Sequence, residues 1–163
     1  MNAKAARFSA QGVEPNQRQI VETAIVGAGF GGMATAIRLL QSGNEDFVLI
    51  DKGDTVGGTW RENTYPGAAC DVQSHMYSFS FEGKTDWTKR YAGWQEIQTY
   101  INETAEKYQL ARFSRFNTEV TAARFDEDTA YWTLDFNNGE QIKCKFFILA
   151  SGPLHVPQIP KFK

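Results

Sequence analysis

Residues 20–43 read IVETAIVGAGFGGMATAIRLLQSG and change period halfway along. The first seven are mostly apolar and β-branched and end at a glycine, the composition of a strand buried on both faces of a parallel sheet. From Phe30 onward Met33, Ala36, Ile37 and Leu40 recur at helical spacing, and Gly43 follows as a helix stop. Residues 46–52, DFVLIDK, restore a strand. Strand, glycine turn, helix and strand make a βαβ unit, whose crossover is right-handed and whose strands are parallel.

The turn GAGFGG, residues 27–32, places Gly27, Gly29 and Gly32 in GxGxxG spacing. The first glycine permits the tight turn, the second lets backbone approach a pyrophosphate, and the third allows helix to pack closely on strand. The helix N-terminus adds free N–H groups and a partial positive charge. Asp51 closes the second strand 24 residues after Gly27, where a carboxylate can accept hydrogen bonds from adenosine ribose hydroxyls. The combination predicts a dinucleotide site. It leaves NAD and FAD open, because both carry the adenosine diphosphate half that such a turn recognises.

After Asp51 no helix is predicted before Trp94. Loops beyond about 12–15 residues in compact domains are functional or disordered, and the aromatic content here argues for packing. Within this segment residues 57–71 read GGTWRENTYPGAACD. Gly57 and Gly58 allow close backbone approach, Thr59 offers a hydroxyl, Trp60 and Tyr65 offer flat surfaces, and Pro66-Gly67 predicts a turn. A flavin ring system would use all of these features.

Further along, Trp94, Ile97, Ile101, Ala105 and Tyr108 recur at spacings of three and four with Glu and Lys outside, which predicts a second amphipathic helix. Residues 119–143 alternate apolar and polar, with Asn138-Gly139 as a hairpin turn, and predict an antiparallel meander. Residues 145–150, KFFILA, lose the alternation and predict a return to the parallel sheet. The proline-rich end reads as an extended connection.

At 163 residues, one domain with a real core is expected, and a composition of 42% hydrophobic and 22% charged residues is that of a globular protein. A net charge of −2 supplies no positive field for nucleic acid or an anionic membrane. No run approaches the ~20 apolar residues of a membrane span, and the start lacks a signal-type apolar stretch, so a cytoplasmic protein is expected. Cys70 and Cys144 stand 74 positions apart without CxxC spacing, and His75 and His155 are isolated; reduced thiols and no metal are expected.

GAGFGG, Asp51, GGTW, YPGAACD, YSFSF, NTEVTAARFDED and ASGPLHVPQIP together resemble the N-terminal part of flavin-dependent Baeyer–Villiger monooxygenases, within the flavin-containing monooxygenase class. The resemblance spans residues 21–160. It implies an α/β fold: a Rossmann-like FAD/NAD(P)-binding domain with a central parallel sheet, helices on one side and a small antiparallel β-meander on the other. It implies FAD and NADPH as cofactors, and oxygen insertion from O2 beside the carbonyl of a small-molecule ketone. Cofactor contacts carried over by motif are Gly27, Gly29 and Gly32 at the pyrophosphate and Asp51 at the ribose, with Ala28, Phe30, Lys52 and Gly58 as further cofactor-binding residues. Thr59 and Trp60 would line the flavin, with Tyr77 near its end and Val120 near the adenine end. Asp71 is carried over as the catalytic acid beside the flavin, pairing with an arginine; a buried carboxylate needs such a partner. The loop departs from the family at Arg61-Glu62-Asn63-Thr64 and Ala69, which leaves the substrate open.

The chain stops at Lys163, before the family's second glycine fingerprint, its NADPH site and the partner arginine. The expected organisation is a flexible leader over residues 1–19, the N-terminal part of the FAD domain over 20–152, and a connection over 153–163 towards an NADPH domain. The remainder of the same enzyme is then its partner, and this part alone is not expected to turn over. A free-standing dinucleotide-binding module, or part of a flavin N- or S-hydroxylase, remain the alternatives.

Overall fold

A computed structural model of the chain describes residues 18–154 and 156–162. Most of the expected leader, and His155, lie outside the described residues. Strand β1 (Ile20–Val26) pairs in parallel with β2 (Phe47–Ile50) on one side and β6 (Gln141–Leu149) on the other. A short β3 (Ser114–Arg115) extends the parallel part beyond β2. On the other flank β5 (Tyr131–Phe136) pairs antiparallel with β6, and β4 (Val120–Asp126) with β5, giving the order β3-β2-β1-β6-β5-β4. The strand β6 therefore serves both regions: its start pairs with β5, and residues 143–149 return to β1.

Strand β2 shows why an unbroken apolar run belongs at this place. Phe47 and Leu49 face a core built by α1 (Phe30–Gln41) and α3 (Trp94–Lys107), while Val48 and Ile50 face Leu134, Phe136 and Ile142 of the meander. Burying each such side chain contributes roughly 1.5–3 kcal/mol. Helices thus cover one face and the meander the other, as the resemblance implied. Of the stripe predicted on α3, Ile97, Ile101 and Ala105 are fully buried, and Trp94 and Tyr108 sit half-buried at its ends.

The alternation breaks at the same level in two neighbouring strands. The N–H groups of Glu22 and Thr23 both donate to the Asp46 carbonyl at 3.1 Å, the pattern of a bulge. Val21 and Ala24 consequently face the same core, as do their partners Cys144 and Phe147 on β6.

Four short elements differ from the sequence expectation, one of them a 3-10 turn at Leu110–Phe113 that was not predicted. The segment after Asp51 contains a helical turn, α2 (Thr59–Glu62), and a 3-10 turn at Ser74–Met76, and β3 was not predicted. Each is four residues or fewer, too short to display a period. The Pro66-Gly67 turn forms as expected, with Ala68 N–H donating to the Tyr65 carbonyl at 3.1 Å.

Candidate functional site

A cleft of about 400 Å³ opens at the carboxyl ends of β1, β2 and β6. The chain leaves β1 to build β2 on one side while β6 arrives on the other, so the cleft sits at the switch point where open α/β sheets bind ligands.

Its floor is the GAGFGG turn. Gly27 has φ +109°, and a Cβ there would lie 2.3 Å from the Ala150 carbonyl oxygen, so the turn is pressed against the end of β6. Gly32 lies behind the floor, where a Cβ would meet the Gly27 carbonyl oxygen at 1.7 Å; only glycine lets the helix start so close. Gly29 is the N-cap of α1 and makes no side-chain cap, and the first turn of the helix holds no acidic residue. Its first N–H groups therefore remain available to an anion.

The loop of residues 57–71 meets this floor backbone to backbone. Gly57 N–H donates to the Ala28 carbonyl at 2.9 Å, and a Cβ on Gly58, whose φ is +54°, would stand 3.0 Å from Gly29 Cα. Gly58 and Thr59 line the cleft here, followed by Trp60. Trp60 is buried and its indole N–H donates to the Tyr77 hydroxyl at 2.9 Å, with the rings edge to face at 5.8 Å. Phe30 packs against Tyr77 at 5.2 Å and completes an aromatic wall. Burial pushes the Tyr77 phenol above its ordinary value, against the lowering effect of the Trp60 hydrogen bond.

Asp51 occupies the other end and is 7% exposed. Its Oδ2 accepts from Ala28 N–H at 2.7 Å, its Oδ1 accepts from Gly53 N–H at 2.8 Å, and Arg61 pairs with Oδ1 at 3.0 Å. Lys52 and Val120 also line the cleft. Of the residues singled out in the sequence, Ala28 and Gly32 act from beneath, and Gly27, Gly29, Phe30, Asp51, Lys52, Gly58, Thr59, Trp60, Tyr77 and Val120 share the cleft. Asp71 and Tyr65 are exposed and stand outside its lining. The Asp71 charge is near enough to contribute to raising the Tyr77 phenol.

Sequence reasoning missed contributors from three segments of the chain. Arg61 stood only as a departure from the family pattern. Ala150, Ser151 and Gly152 line the cleft from the end of β6. Gln98 of α3, 7% exposed, donates to the Val56 carbonyl at 3.0 Å and to Asn102 Oδ1 at 2.8 Å. Gln98 and Asn102, four apart and adjoining Ile97 and Ile101, were the available signal of a polar pair on a buried face.

Cys70 and Cys144 are buried free thiols. Among the described residues no group of three potential metal ligands occurs, and no helix is long and apolar enough to cross a membrane.

Residues 25–92 match the family model of the NAD(P)-binding Rossmann-like domain. The chain is 43% identical over 140 residues to a Baeyer–Villiger monooxygenase of Pseudomonas aeruginosa, covering 86% of this chain and 27% of that protein. Among solved structures, it is similar to an oxidised steroid monooxygenase bound to NADP, with TM-score 0.82 and 35% identity, over 88% of this chain and 28% of that one. It is likewise similar to OTEMO in complex with FAD and NADP, with TM-score 0.81 and 32% identity, over 92% of this chain and 28% of that one. The likeness to Baeyer–Villiger monooxygenases read from the motifs is thus present in sequence and in fold. The chain spans about a quarter of the length of the relatives it matches.

Proposed function

We propose that this chain is the FAD-binding part of an NADPH-dependent Baeyer–Villiger monooxygenase, which inserts one oxygen atom from O2 beside the carbonyl of a small-molecule ketone. The observation that carries this reading is the meeting of Gly29 with Gly58, which joins the dinucleotide turn to the GGTW loop along one cleft. That cleft has a carboxylate at one end and an aromatic wall at the other, the two-ended character of a flavin dinucleotide. Relatives solved with FAD and NADP support the same choice.

FAD, when bound, supplies the redox chemistry and the activation of oxygen. The chain's own residues bind and orient it. The open N–H groups at the start of α1 take the diphosphate, Asp51 accepts from the ribose with Lys52 beside it, and Val120 backs the adenine. Thr59, Trp60 and Tyr77 wall the flavin. Because the Trp60 indole donates to the Tyr77 oxygen, that hydroxyl keeps its own proton to donate into the cleft. We assign Asp71, on the exposed side of the same loop, to orienting an arginine contributed by the rest of the enzyme, which also brings the NADPH site. In this reading residues 20–152 are one part of the FAD domain and 153–163 the connection onward.

The test is the visible spectrum and flavin titration of the protein at its natural full length, with turnover of ketones compared against amines and sulfides. Bound FAD and NADPH-dependent ester formation are expected. Asp51→Asn should weaken FAD by about 10- to 100-fold, the range for losing hydrogen bonds to a charged group. A colourless protein that FAD does not stabilise would overturn the reading, and turnover of amines or sulfides alone would move it to the hydroxylating relatives.

A further inference from the structure

Arg61 belongs to no motif, yet it lines the cleft and its guanidinium pairs with Asp51, with side-chain exposures of 14% and 8% respectively. Its Nε and Nη2 donate to Glu62 Oε1 at 2.9 and 2.7 Å, and Nη1 donates to the Thr55 carbonyl and pairs with Asp51. The guanidinium lies over Gly53, where a Cβ would stand 2.3 Å from its central carbon. Burial pulls this guanidinium down, but Asp51 and Glu62 outweigh it and hold the group above its ordinary value, so it stays charged.

An ionised carboxylate offers about four lone-pair sites. At Asp51, Ala28 N–H, Gly53 N–H and Arg61 take all but one, and the remaining one is on Oδ2. The consecutive carbonyls of Thr55 and Val56 are held by Arg61 and Gln98, directly before the Gly57-Gly58 step that meets Gly29.

We propose that Arg61 is a positioning residue for the adenosine end of the nucleotide: it fixes the Asp51 carboxylate so that one Oδ2 lone pair faces the ribose. This rests on the dinucleotide reading above. Lysine in its place keeps the charge but loses the planar fork that reaches Asp51, Glu62 and Thr55 together.

The experiment titrates FAD, ADP and FMN into the full-length protein, its Arg61→Lys and Arg61→Met variants and the Asp51→Asn, Arg61→Lys double variant, with thermal unfolding alongside. FMN lacks the adenosine and reports the flavin end alone. Arg61→Lys should weaken FAD and ADP by roughly tenfold and leave FMN within about twofold, and adding Asp51→Asn should weaken them less than it does in the wild type. If Arg61→Met does not fold, the lysine variant carries the comparison. A parallel loss of FMN and FAD would mean a merely structural role and sink the proposal, as would unchanged ADP binding in a variant whose parent binds it. A parent that binds neither FAD nor ADP would instead overturn the dinucleotide reading itself, and this inference with it.

Discussion

The Trp60 indole N–H donates to the Tyr77 hydroxyl oxygen at 2.9 Å inside an aromatic cluster that also holds Phe30, Phe79 and Tyr100. Trp60 is buried, so removing its acceptor leaves an indole N–H without a partner. Tyr77→Phe should therefore lower stability by about 1–3 kcal/mol in urea unfolding, although the ring is retained. A change below about 0.5 kcal/mol would show that water or a neighbour replaces the hydroxyl. Residue identities of this kind were legible from GGTW and YSFSF, but their pairing was not, because 17 positions separate the two side chains and no local period connects them. Arg61 was less legible still: a lone arginine beside a glutamate in a loop looks like solvated charge until Asp51 is seen next to it.

Among the elements, α1 and α3 were readable because each carries several apolar residues at helical spacing, and β1 and β2 because each is a short apolar run bounded by turn residues. The short α2 and β3 were not, since their conformation is imposed by the chain they pack against. The turn between β1 and α1 combines both situations: its spacing is visible in sequence, and its strictness comes from β6. Gly27 is in the left-handed region and faces a backbone carbonyl, not a side chain that could swing away. Gly27→Ala should therefore cost at least about 1–3 kcal/mol and also abolish nucleotide binding. Thermal unfolding and flavin titration check both. An alanine variant that keeps both properties would mean that β6 and the turn can separate without loss.

For the whole molecule, buried acids act in one direction. Burial pushes the Cys144 thiol from its ordinary 9.0 up to about 11, and also raises Cys70, Tyr77 and Tyr100. As pH rises above 9, the unfolded chain releases protons that the folded chain retains, so this stabilisation, complete below the unfolded values, is lost through the folded ones. The melting temperature should fall between pH 9 and about 11, and Cys144→Ala should make that fall shallower. An identical slope in the variant would show that Cys144 does not contribute. The βαβ unit, the second helix, the meander and the dinucleotide fingerprint were determined by the sequence alone, because periodicity and glycine spacing are local consequences of backbone geometry. Only the tertiary structure decided that Gly29 meets Gly58, that Arg61 holds Asp51, and that Asp71 stands outside the cleft lining while Tyr77 stands within it. These are contacts between segments distant in the chain, set by how the sheet and its two covering layers bring loop ends together, and no local pattern encodes them.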